Sequence, residues 1–209
     1  MWGWIMVVGA MFFLMNACGS SAPLPTVQED TPTHAAKQAG GPRPSTQRLR
    51  MQAEQGNVEA QFSLAQAYDR GRDVPKDKTE AVRWYRLAAM QGDAFAQNTL
   101  GDNYWEGTGV PKNDSEAARW WRLAADKGFA PAQHSLGKML IGGGQGVRSD
   151  KIHAYMWLAL SASQGDEEAG RQSDLLSKQL KPAEMTTAKR LVKQWKPTRT
   201  SVTNNKTAQ

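Results

Sequence analysis

Residues 57–92 read NVEAQFSLAQAYDRGRDVPKDKTEAVRWYRLAAMQG, and residues 93–128 read DAFAQNTLGDNYWEGTGVPKNDSEAARWWRLAADKG. Aligned without a gap, the two stretches are identical at seventeen of 36 positions, where chance gives about two. A third copy occupies 129–165 with one extra residue in its loop, and a partial copy begins at Asp166. Upstream, residues 46–56 match the second half of a unit, with Met51 where Leu87 and Leu123 stand. A period of this length marks an array of supersecondary units, each too small to bury its apolar face without a neighbour.

Each unit divides into two helices. In the first, Ala60, Leu64, Ala67 and Tyr68 fall on one face at helical spacing; Ala96, Leu100 and Tyr104, then Ala132, Leu136 and Leu140, repeat the stripe. Gly71, Gly107 and Gly143 stand where a left-handed residue ends a helix, and Val74-Pro75 and Val110-Pro111 make a turn. The second helix opens at Asp77-Lys78-Thr79-Glu80 or Asn113-Asp114-Ser115-Glu116. These are capping-box spacings, in which cap side chain and acid satisfy free backbone N–H groups reciprocally. Its apolar stripe is Ala81, Trp84, Leu87 and Ala88, then Ala117, Trp120, Leu123 and Ala124, then Ala154, Trp157 and Leu160. One large ring per unit beside paired alanines predicts tryptophans buried between close helices. The fold class is all-α: an α/α superhelical solenoid of helix-turn-helix repeats with a C-terminal capping helix.

Ala60-Gln61, Leu64, Tyr68, Gly71, Val74-Pro75, Asp77, Ala81, Trp84-Tyr85 and Leu87-Ala88-Ala89, with their counterparts 36 residues on, resemble the SEL-one-like repeat family of tetratricopeptide-type solenoids. The resemblance covers 46–180, as a half unit 46–56, units 57–92, 93–128 and 129–165, and a partial unit 166–180. Residues 181–196 look like the terminal helix that closes such proteins. Met185, Ala188, Val192 and Trp195 would pack on the last repeat while Lys189, Arg190 and Lys193 face water. Residues 197–209 are expected to be a disordered basic tail. Some secreted members brace every unit with a cysteine pair, and the single Cys here leaves packing alone to hold the stack. Modest stability is expected.

The 209 residues carry 26 Lys plus Arg against 20 Asp plus Glu. Residues 1–180 are balanced, and residues 181–209 hold seven basic side chains against Glu184 alone. A body without net charge lacks the positive field that non-specific nucleic-acid binding requires, so no nucleic-acid role is expected. The uncharged run WGWIMVVGAMFFLM at 2–15 is shorter than the roughly 20 residues of a bilayer span and reads as the core of a secretory signal. Leu14-Met15-Asn16-Ala17-Cys18 resembles the lipobox of bacterial lipoproteins, with Met15 where that pattern favours Leu. The resemblance implies cleavage before Cys18, acylation of its thiol and a lipid anchor on the periplasmic side of the envelope. Gly19, in place of a retention Asp, implies outer-membrane sorting. Residues 1–18 are thus a lipoprotein-type signal and 19–45 a flexible Ser/Ala/Pro/Thr/Gly linker in which His34 is solvated.

Material for catalysis is sparse. His134 takes the place of Phe62 and Asn98, His153 that of Glu80 and Glu116, and neither has a ligand partner at metal-binding spacing, so both read as surface histidines. Glu167-Glu168 fit the first turn of a helix, where acids suit its dipole. Gly142-Gly143-Gly144-Gln145-Gly146 lacks the Gly-Lys-Ser/Thr of a phosphate loop and reads as a flexible inter-helix loop. No cofactor, metal or catalytic residue is expected.

Positions that change between units lie opposite the first helix's repeated stripe. They read Phe62, Gln66, Asp69; then Asn98, Asp102, Trp105; then His134, Lys138, Ile141. In the family this side lines the concave surface, which implies a partner groove with Trp105, Ile141 and Phe62 as candidate anchors. The expected function is a non-enzymatic scaffold of the cell envelope that binds a protein or peptide in that groove. The alternative is a component of a cell-wall, polysaccharide-export or secretion assembly, in which the basic end touches anionic polymer or lipid.

Overall fold

The computed structural model describes residues 44–198. The apolar run, Cys18, the linker up to residue 43 and the tail from residue 199 lie outside the described residues. The described chain forms nine α-helices: α1 (Pro44–Glu54), α2 (Val58–Arg70), α3 (Lys78–Met90), α4 (Ala94–Glu106), α5 (Asp114–Asp126), α6 (Ala130–Gly142), α7 (Lys151–Ala162), α8 (Glu167–Ser177) and α9 (Pro182–Gln194). Each of α1 to α7 packs on the next, so units α2–α3, α4–α5 and α6–α7 stack as hairpins between the half unit α1 and the partial unit α8.

The start of each helix is written in its cap. Asn57, Asp93 and Asp166 accept from the N–H of Ala60, Ala96 and Ala169, and Asp77, Asn113 and Asp150 from that of Glu80, Glu116 and His153. Helix α6 starts on Phe129 without such a cap, and Pro131 in its first turn presets the backbone instead. The reciprocal half of the expected capping box is not made. Glu80 turns back onto its own helix, accepting from Arg83 at 2.7 Å and from Trp84 Nε1 at 2.9 Å. Gly71 and Gly107 end α2 and α4 in the left-handed conformation.

Units are joined by a repeated amide. Gln61, Gln97 and Gln133, in the second turns of α2, α4 and α6, each donate from Nε2 to the carbonyl of Ala53, Ala89 or Ala125 near the end of the preceding helix. Gln91 and Gln164 then donate to Gln61 Oε1 and Gln133 Oε1 at 2.7 and 2.8 Å. In the middle unit Lys127 takes that place and reaches Gly92 O, which leaves Gln97 Oε1 buried without a partner.

Trp120 and Trp157 are buried as expected, but Trp84 is only half-buried and the stripe is rotated from the predicted one. Leu87 and Leu123 are 44% and 40% exposed, and Met51 at the same register 56%. The residue after each tryptophan, Tyr85, Trp121 or Leu158, is buried instead, so the second and third units carry two large core residues at this place and the first unit Tyr85 with half-buried Trp84. Trp121 and Leu158 pack on Gly101 and Gly137 of the first helix, where the first unit has Ala65. A methyl on Gly101 would stand 2.5 Å from Trp121 Nε1, and one on Gly137 2.8 Å from Leu158 Cγ.

Helix α9 buries Ala188 and brings Leu191, Val192 and Trp195 against the α5–α7 core. It lies on α7 rather than pairing with α8. Trp195 meets the Trp157 ring edge-on at 6.2 Å and lies beside Gly128. This covers Leu160, which is 7% exposed while its counterparts Met51, Leu87 and Leu123 remain open. Beyond the helix, Thr198 donates from its N–H and hydroxyl to Asp126 O at 2.7 and 3.0 Å, so the stretch expected to be a disordered tail begins with a fixed contact.

The glycine-rich segment after α6 is also fixed rather than loose. Gly144 and Val147 exchange backbone hydrogen bonds, the Gln145 N–H donates to Asp114 Oδ2 at 2.8 Å, and Ser115 donates to Gln145 O. A Cβ at Gly144 would lie 2.8 Å from Asp114 Oδ2, which is why glycine stands there.

Candidate functional site

The first helices carry the nine residues singled out from the sequence, and the structure sorts them by what their neighbours do. Phe62 is drawn into the core, its ring 5.6 Å from Tyr85 and 6.2 Å from Phe95. Asp69 is taken up by an ion pair with Lys78. Gln66 lines a separate cleft between α1 and α2. Ile141 packs on the Ala154–Leu158–Ala169–Leu176 cluster. His134 is half-buried rather than at the surface: its Nδ1 lies 2.8 Å from Asp166 Oδ2, tying α6 to the cap of α8. Burial alone would raise Asp166, but the Ala169 N–H, the Ser161 hydroxyl and His134 hold it below the usual carboxylate range. His153 lies 2.7 Å from Asp150, its own helix cap.

The remaining four converge. Asp102, Trp105 and Glu106 on α4 face Ser135, Lys138 and Met139 on α6 across a cleft of about 350 Å³, with Trp121 of α5 at its floor. Trp121 Nε1 donates to Asp102 Oδ1 at 2.9 Å, and Asn98 Nδ2 donates to Asp102 Oδ2 at 3.0 Å. Both donors are neutral. Burial, reinforced by the charge of Glu106, pushes the Asp102 carboxyl up to about 6. Trp105 stays 39% exposed, its ring tilted on Trp121 at 6.0 Å, and the Lys112 ammonium sits 4.4 Å from its centroid.

Sequence reasoning brought Asp102, Trp105, Asn98 and Lys138 to this place but missed Trp121 and Glu106. Trp121 sits on the second helix, where every aromatic was read as scaffold. Its signal was the paired change from Ala65 and Tyr85 to Gly101 and Trp121, a smaller residue facing a larger one. The rim is rigid because both walls are helices keyed to the stack through Gln97 and Gln133. What it offers is the carboxylates of Asp102 and Glu106, the exposed indole of Trp105 and the amine of Lys138 on an otherwise repeated frame. Among the described residues no group of three or more His, Cys, Asp or Glu could hold a metal ion, and no helix is long and apolar enough to cross a membrane.

A stack of capped hairpins with one variable cleft defines a helical-repeat interaction protein. The Sel1 repeat matches residues 58–93, 94–129 and 130–166, and the chain belongs to the Sel1 repeat family. The crystal structure of a Sel1 repeat protein from Oxalobacter formigenes is similar at 36% identity and a TM-score of 0.58, over 62% of this chain and 97% of that one. So is the structure of c5321, a protective antigen present in uropathogenic Escherichia coli strains, which displays the SLR fold. There the identity is 27% and the TM-score 0.55, over 72% of this chain and 40% of that one. No curated protein matches the sequence at a significant level. Sel1 repeats generally serve as non-catalytic scaffolds for protein–protein interaction.

Proposed function

We propose that this chain is a scaffold of the bacterial cell envelope, lipid-anchored through Cys18 on the periplasmic side of the outer membrane, which holds one protein segment in the groove formed by its first helices. The observation that carries the reading is the α4–α6 cleft. Here exposed Trp105 and Lys138 and half-buried Asp102 depart from the repeat on helices that otherwise follow it. An aromatic side chain on a rigid rim next to directional polar groups suits a peptide anchor. The anchor at Cys18 rests on the sequence resemblance alone.

The test is affinity capture from envelope extracts with the native protein and with Trp105→Ala plus Lys138→Ala, two exposed sites on the rim, the helical content of the variant being checked by circular dichroism. Partners recovered by the native form and lost by the variant support the groove; equal recovery of every partner overturns it. Substitution of Cys18 by Ser tests the anchor, and release of the protein from the membrane fraction is the expected result.

A second reading, contact with cell-wall polymer or anionic lipid in an export or secretion assembly, draws on the exposed Lys189, Arg190, Lys193 and Lys196 of the C-terminal end. Co-sedimentation with purified cell wall that is lost in high salt would favour it.

A further inference from the structure

We propose that the cleft between α4 and α6 is a receptor for a cationic side chain, arginine before lysine, presented by the bound peptide segment. This deepens the groove reading and rests on it.

The argument starts from an acid without a counter-charge. Among the described residues neither Asp102 nor Glu106 has an ion-pair partner, although both line the same wall of the cleft. A carboxylate has about four lone-pair positions. Asp102 uses two of them, on Trp121 Nε1 and Asn98 Nδ2. The remaining ones are available to the paired N–H groups of a guanidinium, whose fork matches a carboxylate. Glu106, one helical turn on, adds negative charge to the same wall.

The rings supply the second half of the recognition. Trp121 lies buried against Trp105 at a 50° tilt, so the indole offered to a cation in the cleft is that of the exposed Trp105. Cations are attracted to such faces, to indole most of all. The molecule already uses this chemistry on itself: guanidinium groups lie 5.8 Å from the ring centre of Tyr68, 6.0 Å from Tyr104, 5.4 Å from Trp120 and 5.1 Å from Trp157. Among the described residues no guanidinium fills the corresponding place in the cleft.

Two ammonium groups oppose the assignment and define its limits. Lys112 covers one face of Trp105, and its charge is shared with Asp114 at 3.8 Å. Lys138 stands exposed on the α6 rim. A cation therefore enters on the α4–α5 side of the cleft, beside Asp102. Lys138 is left to meet a carboxylate or carbonyl further along the same segment.

The test uses the ¹⁵N-labelled full chain and three capped pentapeptides, Gly-X-Gly-X-Gly, with X arginine, its neutral isostere citrulline, or glutamate. The indole N–H signals of Trp121 and Trp105 are followed. The arginine peptide is expected to shift both saturably at pH 7.5 and to bind up to about tenfold more weakly at pH 5, where Asp102 is largely protonated. Asp102→Asn removes the binding, and Glu106→Gln weakens it severalfold while leaving the indole signals of the free protein in place. Equal binding of the citrulline peptide, tighter binding of the glutamate peptide, or arginine shifts confined to other tryptophans would each overturn the proposal. If the captured partner depends on Trp105 and Lys138 but the arginine peptide does not bind, the groove stands and the cationic ligand falls. If the peptide binds and no partner depends on the cleft, the wider function falls instead.

Discussion

Asp102 is a carboxylate held against its own solvation preference. Its ordinary value is 3.8 and the fold raises it to about 6, so between those two pH values the folded chain keeps a proton that the unfolded chain has released. Stability is therefore lost as pH rises through that window and stays lost above it. Asp102→Asn is expected to raise stability at pH 7.5 by about 1 kcal/mol, once the shift is discounted for the partial exposure of the group. The gain should vanish below pH 4, as read by urea unfolding across pH. Asn98 can accommodate the change, since its Oδ1 is now buried without a partner and a flipped amide could accept from the new side chain. An unchanged or reduced stability at pH 7.5 would show that Asp102 is structural. Gly101→Ala should act in the opposite sense, costing about 2 kcal/mol because the methyl overlaps the Trp121 ring. It should also displace the Trp121 indole N–H resonance. What the sequence hid at this scale was occupancy. A helical wheel gave the direction of Phe62, Asp69 and Ile141, but not that Tyr85, Lys78 and the α7–α8 cluster were waiting there.

Each hairpin is specified by signals that repeat: an Asn or Asp cap, a small residue opposite a large one, and a glutamine that reaches the helix before it. These signals made the helix order legible, because local preference and tertiary contact agree at every turn. Lys127 is the exception that can be corrected. Lys127→Gln would let the new amide donate to Gln97 Oε1, as Gln91 does to Gln61 and Gln164 to Gln133. The expected gain is about 0.5–1 kcal/mol, measured as a higher urea midpoint with an unchanged slope. A loss would mean that the Lys127 bond to Gly92 O matters more than the orphaned acceptor. The Leu87–Leu123 row was misread for a related reason. The same leucine is core in one unit and surface in two others, and only Leu160 has a helix laid over it.

Across the whole molecule, cohesion passes from neighbour to neighbour, as a one-dimensional stack requires. Helix α1 touches the stack on one side only, whereas α7 meets α6, α8 and α9. Trp195→Ala should therefore cost more than its half-exposed position suggests, about 2 kcal/mol. Hydrogen exchange should show the loss of protection concentrated in α7 and the end of α5. Uniform loss along all helices would mean the chain unfolds as one unit. The return of α9 was not legible as such. The sequence announced an amphipathic last helix, but not that it would lie on α7 with its tryptophan beside Gly128, a contact 67 residues apart in the chain. That long reach has an evolutionary corollary. Because the closing helix is keyed to Trp157 and to the turn at Gly128 at once, gene duplication can enlarge this array without disturbing its end only by inserting copies ahead of residue 93. Longer descendants should differ from it at the front.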